Sequence, residues 1–211
     1  MMETTPAEFQ RQLRGLFAVL RILVRDTTQG RESVEDYAAR LESRIGALAR
    51  VHDMLLRAPA EGVDLQEIVC AELLAQTVAE SRYRIEGPEI RIAPESAIPL
   101  ALAFHELTLN ALEHGALTRS RGWIEVTWRP SDQDGTDWLQ VRWSEHRPSG
   151  ETTACAGKGF GWNLIERMLP YELSARTRIE LADDGVRVEL LIPAFTSVTV
   201  WRTVAEETGS N

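Results

Sequence analysis

The sequence predicts an α+β protein: an N-terminal antiparallel helical hairpin, followed by a sandwich of helices on a β-sheet. Three observations predict it. Apolar residues recur at intervals of three and four through roughly the first quarter of the chain, with one break. Composition then shifts after Ala58-Pro-Ala-Glu-Gly62, the best linker in the chain. Beyond Trp123, segments of alternating polarity are separated by turn residues. The expected organisation is a hairpin over 1–58, a mixed domain over 63–195 and a tail over 196–211.

In the first helix, Pro6 to Thr28, the apolar stripe is Phe9, Leu13, Leu16, Phe17, Leu20, Leu23 and Val24. Thr27-Thr-Gln-Gly30 breaks it, and Ser33 is placed to cap a second helix. There Val34, Tyr37, Leu41, Ile45, Leu48, His52 and Leu55 keep nearly heptad spacing, with His52 packed or half-buried. Two long helices joined by a short break form a hairpin with one apolar stripe too many. Pairing with a second copy in a four-helix bundle buries it, so a homodimer is expected; the alternative is that the stripe packs on the rest of the same chain.

Asp64 starts a helix running to about Ala79, and Tyr83–Glu86 and Ile90–Ile92 read as short strands. A helix from about Ser96 to Glu113 follows, ended at Gly115 by a left-handed residue. In Trp123–Trp128, Ile124, Val126 and Trp128 share a face; in Trp138–Trp143, Leu139, Val141 and Trp143 do. Asp134-Gly135 is the turn between them. Ser144 to Lys158 reads as a long polar loop, and Gly159-Phe-Gly161 leads into a short helix, Trp162 to Met168, stopped by Pro170. Strands over Arg178–Leu181 and Val186–Ile192 close the domain, and Val198, Val200 and Val204 add an edge strand or short helix.

The net charge of -9 excludes a general nucleic-acid binder, which would show a basic stripe. The two cysteines, Cys70 and Cys155, lie far apart without metal-site spacing, and no apolar run reaches membrane-span length. No signal peptide opens the chain, so a cytoplasmic location is expected.

The chemistry concentrates in Phe104-His-Glu-Leu-Thr-Leu-Asn-Ala-Leu-Glu-His-Gly-Ala-Leu117. Glu106, Asn110 and His114 fall at i, i+4 and i+8, one stripe of a helix whose apolar side is Leu100, Phe104, Leu107 and Leu112. A carboxylate, an amide and an imidazole in line are able to hold a metal and phosphate oxygens. On periodicity alone the plainer reading wins: a half-exposed face whose polar groups meet water. The turn Gly159-Phe160-Gly161 before a helix offers backbone N–H groups to phosphate, in itself a weak signal.

Taken together, these segments resemble the catalytic core of bacterial sensor histidine kinases, and within them the HWE class. The helix 104–117 is similar to that class's N box, including the additional histidine, His105. Trp143-Ser-Glu145 matches its Trp-x-Glu signature, and Gly157-Lys-Gly-Phe-Gly-Trp-Asn-Leu-Ile-Glu-Arg167 resembles its second glycine box. The resemblance runs from about residue 9 to Pro193. It implies a dimerisation hairpin and an ATP-binding domain of the histidine-kinase ATPase type, within two-component signalling.

It also implies roles. Asn110 would hold the Mg²⁺ that bridges the ATP phosphates. Glu106 would be the general base for the attacking imidazole. His105 and His114 would support the phosphate side and the helix packing. Glu145 would accept from the adenine amino group, and Lys158, Gly159, Phe160 and Gly161 would line the nucleotide. The loop Ser144–Lys158 would be the lid over ATP.

The departures are specific. Aligning Leu16-Phe-Ala-Val19 with the family's apolar stretch puts Arg11 where relatives carry the phosphoacceptor histidine, and residues 1–51 contain no histidine in any register. Arginine stays cationic and is no nucleophile. Glu113 stands where relatives often carry lysine, and His-Arg-Pro-Ser-Gly follows Glu145 in place of a Gly-Gly-Pro run. Three functions follow as expectations: a degenerate kinase that binds ATP and acts as regulator or scaffold; a kinase that phosphorylates a separate protein; or a module that has lost nucleotide and docks response regulators or a partner kinase. No sensor segment precedes the first helix, so the signal would come from a partner, or the chain is a fragment.

Overall fold

The computed structural model describes residues 33–57, 62–133, 135–148, 160–182, 185–194 and 198–201. The first predicted helix and the break at Thr27–Gly30 lie outside the described residues. The chain divides into two compact units, residues 1–46 and 47–211, with the boundary inside one helix.

That helix, α1, is Val34–Arg57. Ser33 caps it as the sequence predicts: its hydroxyl accepts from the Asp36 amide at 3.1 Å and donates to the Asp36 carboxylate at 2.8 Å. Its last turns belong to the second unit, where Ala47, Leu48 and Val51 are buried. His52 is exposed rather than packed, because the buried face keeps Leu48 but continues through Ala47 and Val51, one residue before the stripe position of His52.

Strand β1, Val63–Asp64, leads into helix α2, Leu65–Ala75. The Asp64 carboxylate accepts from the amides of Gln66 and Glu67, so it caps α2 as expected. The helix ends earlier than the sequence implied, at a Thr77 with φ of 56°. Strands β2, Tyr83–Glu86, and β3, Ile90–Ile92, follow. Helix α3, Pro94–Glu113, is the 20-residue centre of the domain.

The hairpin strands β4, Trp123–Gln133, and β5, Thr136–His146, are longer than predicted. Gly135 sits in the turn at φ 74°, its amide donating to Asp132 at 3.1 Å. Ser144 to His146, expected in the loop, extend β5, because pairing with β4 continues to Trp123↔His146.

The next helix does not stop at Pro170. It runs through α4, Phe160–Asn163, a wider π turn, Leu164–Met168, and α5, Leu169–Leu173. Pro170 falls in the first turn of α5, directly after the wide turn, where a missing N–H costs little. Ser174, left-handed at φ 52°, ends α5. Strands β6, Arg176–Ala182, β7, Gly185–Pro193, and β8, Val198–Trp201, complete the chain.

The five-stranded sheet has the order β2-β4-β5-β7-β6, parallel only between β2 and β4. A second sheet has the order β1-β3-β8, so the tail contributes the edge strand the valine spacing allowed. Ile124, Val126, Trp128, Leu139, Val141, Trp143, Val188, Leu190 and Ile192 are buried at alternating positions, giving the large sheet one apolar face. Helix α3 is buried from Pro99 through Thr108 without interruption. A helix apolar all round belongs in a core, and this one supplies the helical layer's centre.

Candidate nucleotide site

Because α3 is enclosed, its polar residues are not surface decoration. Glu106 is only 5% exposed and Asn110 is half-buried. Gly161, in α4, lies directly against both. A Cβ at Gly161 would sit 3.0 Å from Asn110 Nδ2, 3.1 Å from Glu106 Cβ and 3.2 Å from Glu106 Oε2. The glycine is needed for close approach of backbone to a carboxylate–amide pair. Thus two residues separated by a helical turn meet a third some fifty positions later.

The second half of the site is built around Glu145. It ends the inward-facing row of β5, is 2% exposed, and accepts from the Ala116 amide at 2.7 Å. Burial pushes its carboxyl above the usual range, opposed by the Ala116 hydrogen bond and the charge of Arg147. Gly115 has φ −100°, so it is not the left-handed residue the sequence implied. Glycine is required there because any Cβ would collide with Glu145 Oε2 and the Ala111 backbone. His114 is the C-cap of α3, mostly solvent-facing, with Nε2 3.6 Å from Glu113 Oε2. Glu113, the departure from lysine, therefore faces an imidazole.

Leu107, Asn110, His114, Gly115, Glu145 and Arg147 line a cleft completed by Trp162, Leu181 and Val186. The residues chosen from sequence, Asn110, His114 and Glu145, are thus brought to one place. Trp143 is a fully buried core residue of the sheet. Phe160 begins α4. Arg11, Lys158 and Gly159 lie outside the described residues.

His105 lies in the packing between α2 and α3. It does not approach the cleft. Its Nδ1 lies 3.0 Å from Glu72 Oε2, and the ring is fully buried. Glu72 also accepts from Arg50 Nε at 3.1 Å and Nη2 at 2.5 Å. Since a carboxylate only accepts, His105 donates through Nδ1–H. Burial raises the Glu72 pKa, but the bonds from His105 and Arg50 outweigh it and hold the group below the ordinary carboxylate range. Sequence reasoning missed Glu72 and Arg50. The signal was available: Glu72 falls four residues after Ile68 and seven after Leu65, on the buried stripe of α2.

The segment between α3 and β4 is held by Arg82. Its guanidinium donates to the carbonyls of Gly122 at 2.6 Å, Arg119 at 2.5 Å and Leu117 at 3.4 Å. This clamp fixes the turn that carries Gly115 and Ala116 against Glu145.

A helical layer enclosing one N-box-type helix over a mixed sheet is the architecture of histidine kinase catalytic regions, and comparison bears this out. A blue-light activated histidine kinase of Erythrobacter litoralis EL346 superposes with a TM-score of 0.64 at 19% identity, covering 90% of this chain and 60% of that one. The histidine kinase domain of the same protein gives 0.54 at 17% identity, covering 87% and 94%. The sequence model described as HWE histidine kinase matches residues 8–89. The blue-light-activated histidine kinase of Brucella ovis is 30% identical over 188 residues, 88% of this chain, and that of Brucella anthropi 28% over 194 residues, 90% of it. The chain thus carries an HWE histidine kinase family domain over residues 8–89 and resembles histidine kinases in sequence and fold along nearly its whole length. It spans about 38% of the length of the first of these curated relatives. Among the described residues, no helix is long and apolar enough to cross a membrane.

Proposed function

We propose that this protein is a degenerate histidine kinase that binds ATP with Mg²⁺ and acts through a dimer as a regulator or scaffold. The observation that carries the nucleotide reading is the convergence of Glu106, Asn110 and Gly161, with Glu145 buried at the other side of the same helix end. The residues fit the group. Asn110 offers an amide oxygen of the kind a magnesium ion accepts, and Gly161 lets the backbone of α4 come close to that amide and to Glu106. Glu145 would orient the base through its amino group. Bound ATP and Mg²⁺ would supply a transferable phosphoryl group.

Loss of self-transfer is supported by the sequence: no histidine precedes His52, so no register of the first helix yields an acceptor. A dimer through the helices of residues 1–58 is supported by the exposed apolar side chains Val34 and Ile45 of α1. The domain over 63–195 would then carry the nucleotide, with 196–211 as tail. A response regulator or partner kinase in the cytoplasm would receive the output. The retained Glu106 favours a second reading, a kinase acting on a histidine of another protein, since a scaffold has no use for the base.

Calorimetry with ATP and Mg²⁺ on the whole chain tests the proposal. Binding is expected in the wild type and its loss in Asn110→Ala, with no acid-labile label on the chain from γ-labelled ATP. A folded wild type that fails to bind millimolar ATP would leave only the docking module. Acid-labile self-labelling would restore an active autokinase.

A further inference from the structure

We propose that Arg147 is a built-in plug of the base side of this cleft, a resident guanidinium that must leave before a nucleotide base reaches Glu145. The proposal rests on the nucleotide reading above and concerns its regulation.

Arg147 stands where the family-like glycine run is broken, two residues after Glu145. A glycine would add nothing to the cleft; here a long side chain folds into it and is only 8% exposed. Such burial is unusual for an arginine just beyond the end of a strand, where solvent is available. Its Nη2 lies 4.0 Å from Glu145 Oε2 and donates to the His114 carbonyl at 3.5 Å. It therefore bridges the two walls, β5 and the end of α3, across the mouth. The remaining cavity measures about 30 Å³. That is room for about one or two waters, against about 300–1,000 Å³ for a small-molecule site.

The contacts give the plug a chemical logic. Glu145 is a buried carboxylate whose nearest donor is one backbone N–H. A nearby guanidinium compensates that charge while no ligand is there. An amino group of a purine would offer Glu145 the same service, so base and Arg147 compete for one carboxylate and one volume. Nucleotide affinity is then lowered by the fraction of molecules with Arg147 withdrawn. Arg147 is a positioning residue, not a catalytic one.

The test compares the whole chain with its Arg147→Gly, Arg147→Ala and Arg147→Met variants, each checked for folding by its melting curve. Calorimetry is run with Mg·ATP and, separately, with adenosine, which has no phosphate for a guanidinium to attract. If a tenth or less of the molecules are open, Gly and Ala should bind about tenfold more tightly or better, and to both ligands. Met keeps most of the volume but not the charge, and should bind more tightly than wild type yet less tightly than Arg147→Gly. Weaker binding in all three variants would make Arg147 a nucleotide ligand and overturn the plug. So would equal binding in wild type and Arg147→Gly, or a Met variant as tight as the Gly one. If neither wild type nor Arg147→Gly binds either ligand, the nucleotide reading fails and the plug with it.

Discussion

Replacing Glu72 by alanine should be strongly destabilising although the residue lies outside the cleft. The carboxylate holds three donor contacts: Arg50 Nε at 3.1 Å, Arg50 Nη2 at 2.5 Å and His105 Nδ1 at 3.0 Å. Its two partners do not suffer alike. The Arg50 side chain is 31% exposed and can turn its head to water, so little of its bond is lost outright. His105 is fully enclosed and would keep a polar N–H with nothing to accept it. Leaving a buried donor unsatisfied costs about 1–3 kcal/mol. Breaking a buried ion pair costs about 3–5 kcal/mol, a figure to be lowered here for the partly hydrated arginine. About 3 kcal/mol is the combined expectation, or roughly 6–12 °C in melting temperature at about 2–4 °C per kcal/mol for a chain of this size.

Differential scanning calorimetry reads that shift directly. Its pH dependence gives a second check with a definite sign. The folded-state pKa of Glu72 is depressed, so its contribution is complete above the unfolded-state value. It disappears as pH falls through the folded-state value. The gap between wild type and Glu72→Ala should therefore be full at neutral pH and close in acid. A melting difference under about 2 °C at neutral pH, or a gap that widens on acidification, would refute the assignment of Glu72 as the acceptor holding His105.

Two further outcomes are expected. Gly161→Ala places a Cβ 3.0 Å from Asn110 Nδ2 and 3.1 Å from Glu106 Cβ; overpacking of this kind costs about 1–3 kcal/mol, and Mg·ATP affinity by calorimetry should fall with it, whereas unchanged affinity would separate Gly161 from the site. Arg82→Ala removes donors from three carbonyls of the 117–122 turn; with charged hydrogen bonds worth about 1.5–3 kcal/mol each at most, a fall of about 2 kcal/mol in denaturant stability is expected, and none would show that the turn holds itself.

Most of the fold could be read from the chain because its signals are local. Ser33 and Asp64 cap the helices they precede, and period-two alternation located β4 and β5. The readings that failed depended on partners distant in sequence. His52 was placed on a stripe by heptad counting, but burial of Ala47, Leu48 and Val51 is decided by what packs on them. Gly115 looked like a left-handed cap; its actual constraint is the Glu145 carboxylate thirty residues on. Pro170 broke no helix because a π turn precedes it, and no residue type announces a π turn. In the site, Asn110 and Glu145 were legible as motif members. The donors to Glu72 and the fold-back of Arg147 were not, since a side chain's direction is tertiary information.

The two buried carboxylates of this domain show why burial alone does not mark function. Glu72 and Glu145 are about equally enclosed, yet their pKa values move in opposite directions. Glu72 has a guanidinium and an imidazole in direct hydrogen bonds, so its charge is compensated within the protein, and it ties α2 to α3. Glu145 has the Ala116 N–H, the Trp143 indole close by and a guanidinium held off at 4.0 Å, and desolvation prevails. A fully compensated carboxylate is a structural tie. One left short of donors beside a cleft lacks a bond that a ligand is able to make, and the side chain covering it is the natural place to control entry. On this reasoning Glu72→Ala should change stability far more than nucleotide affinity, and Glu145→Ala should do the reverse.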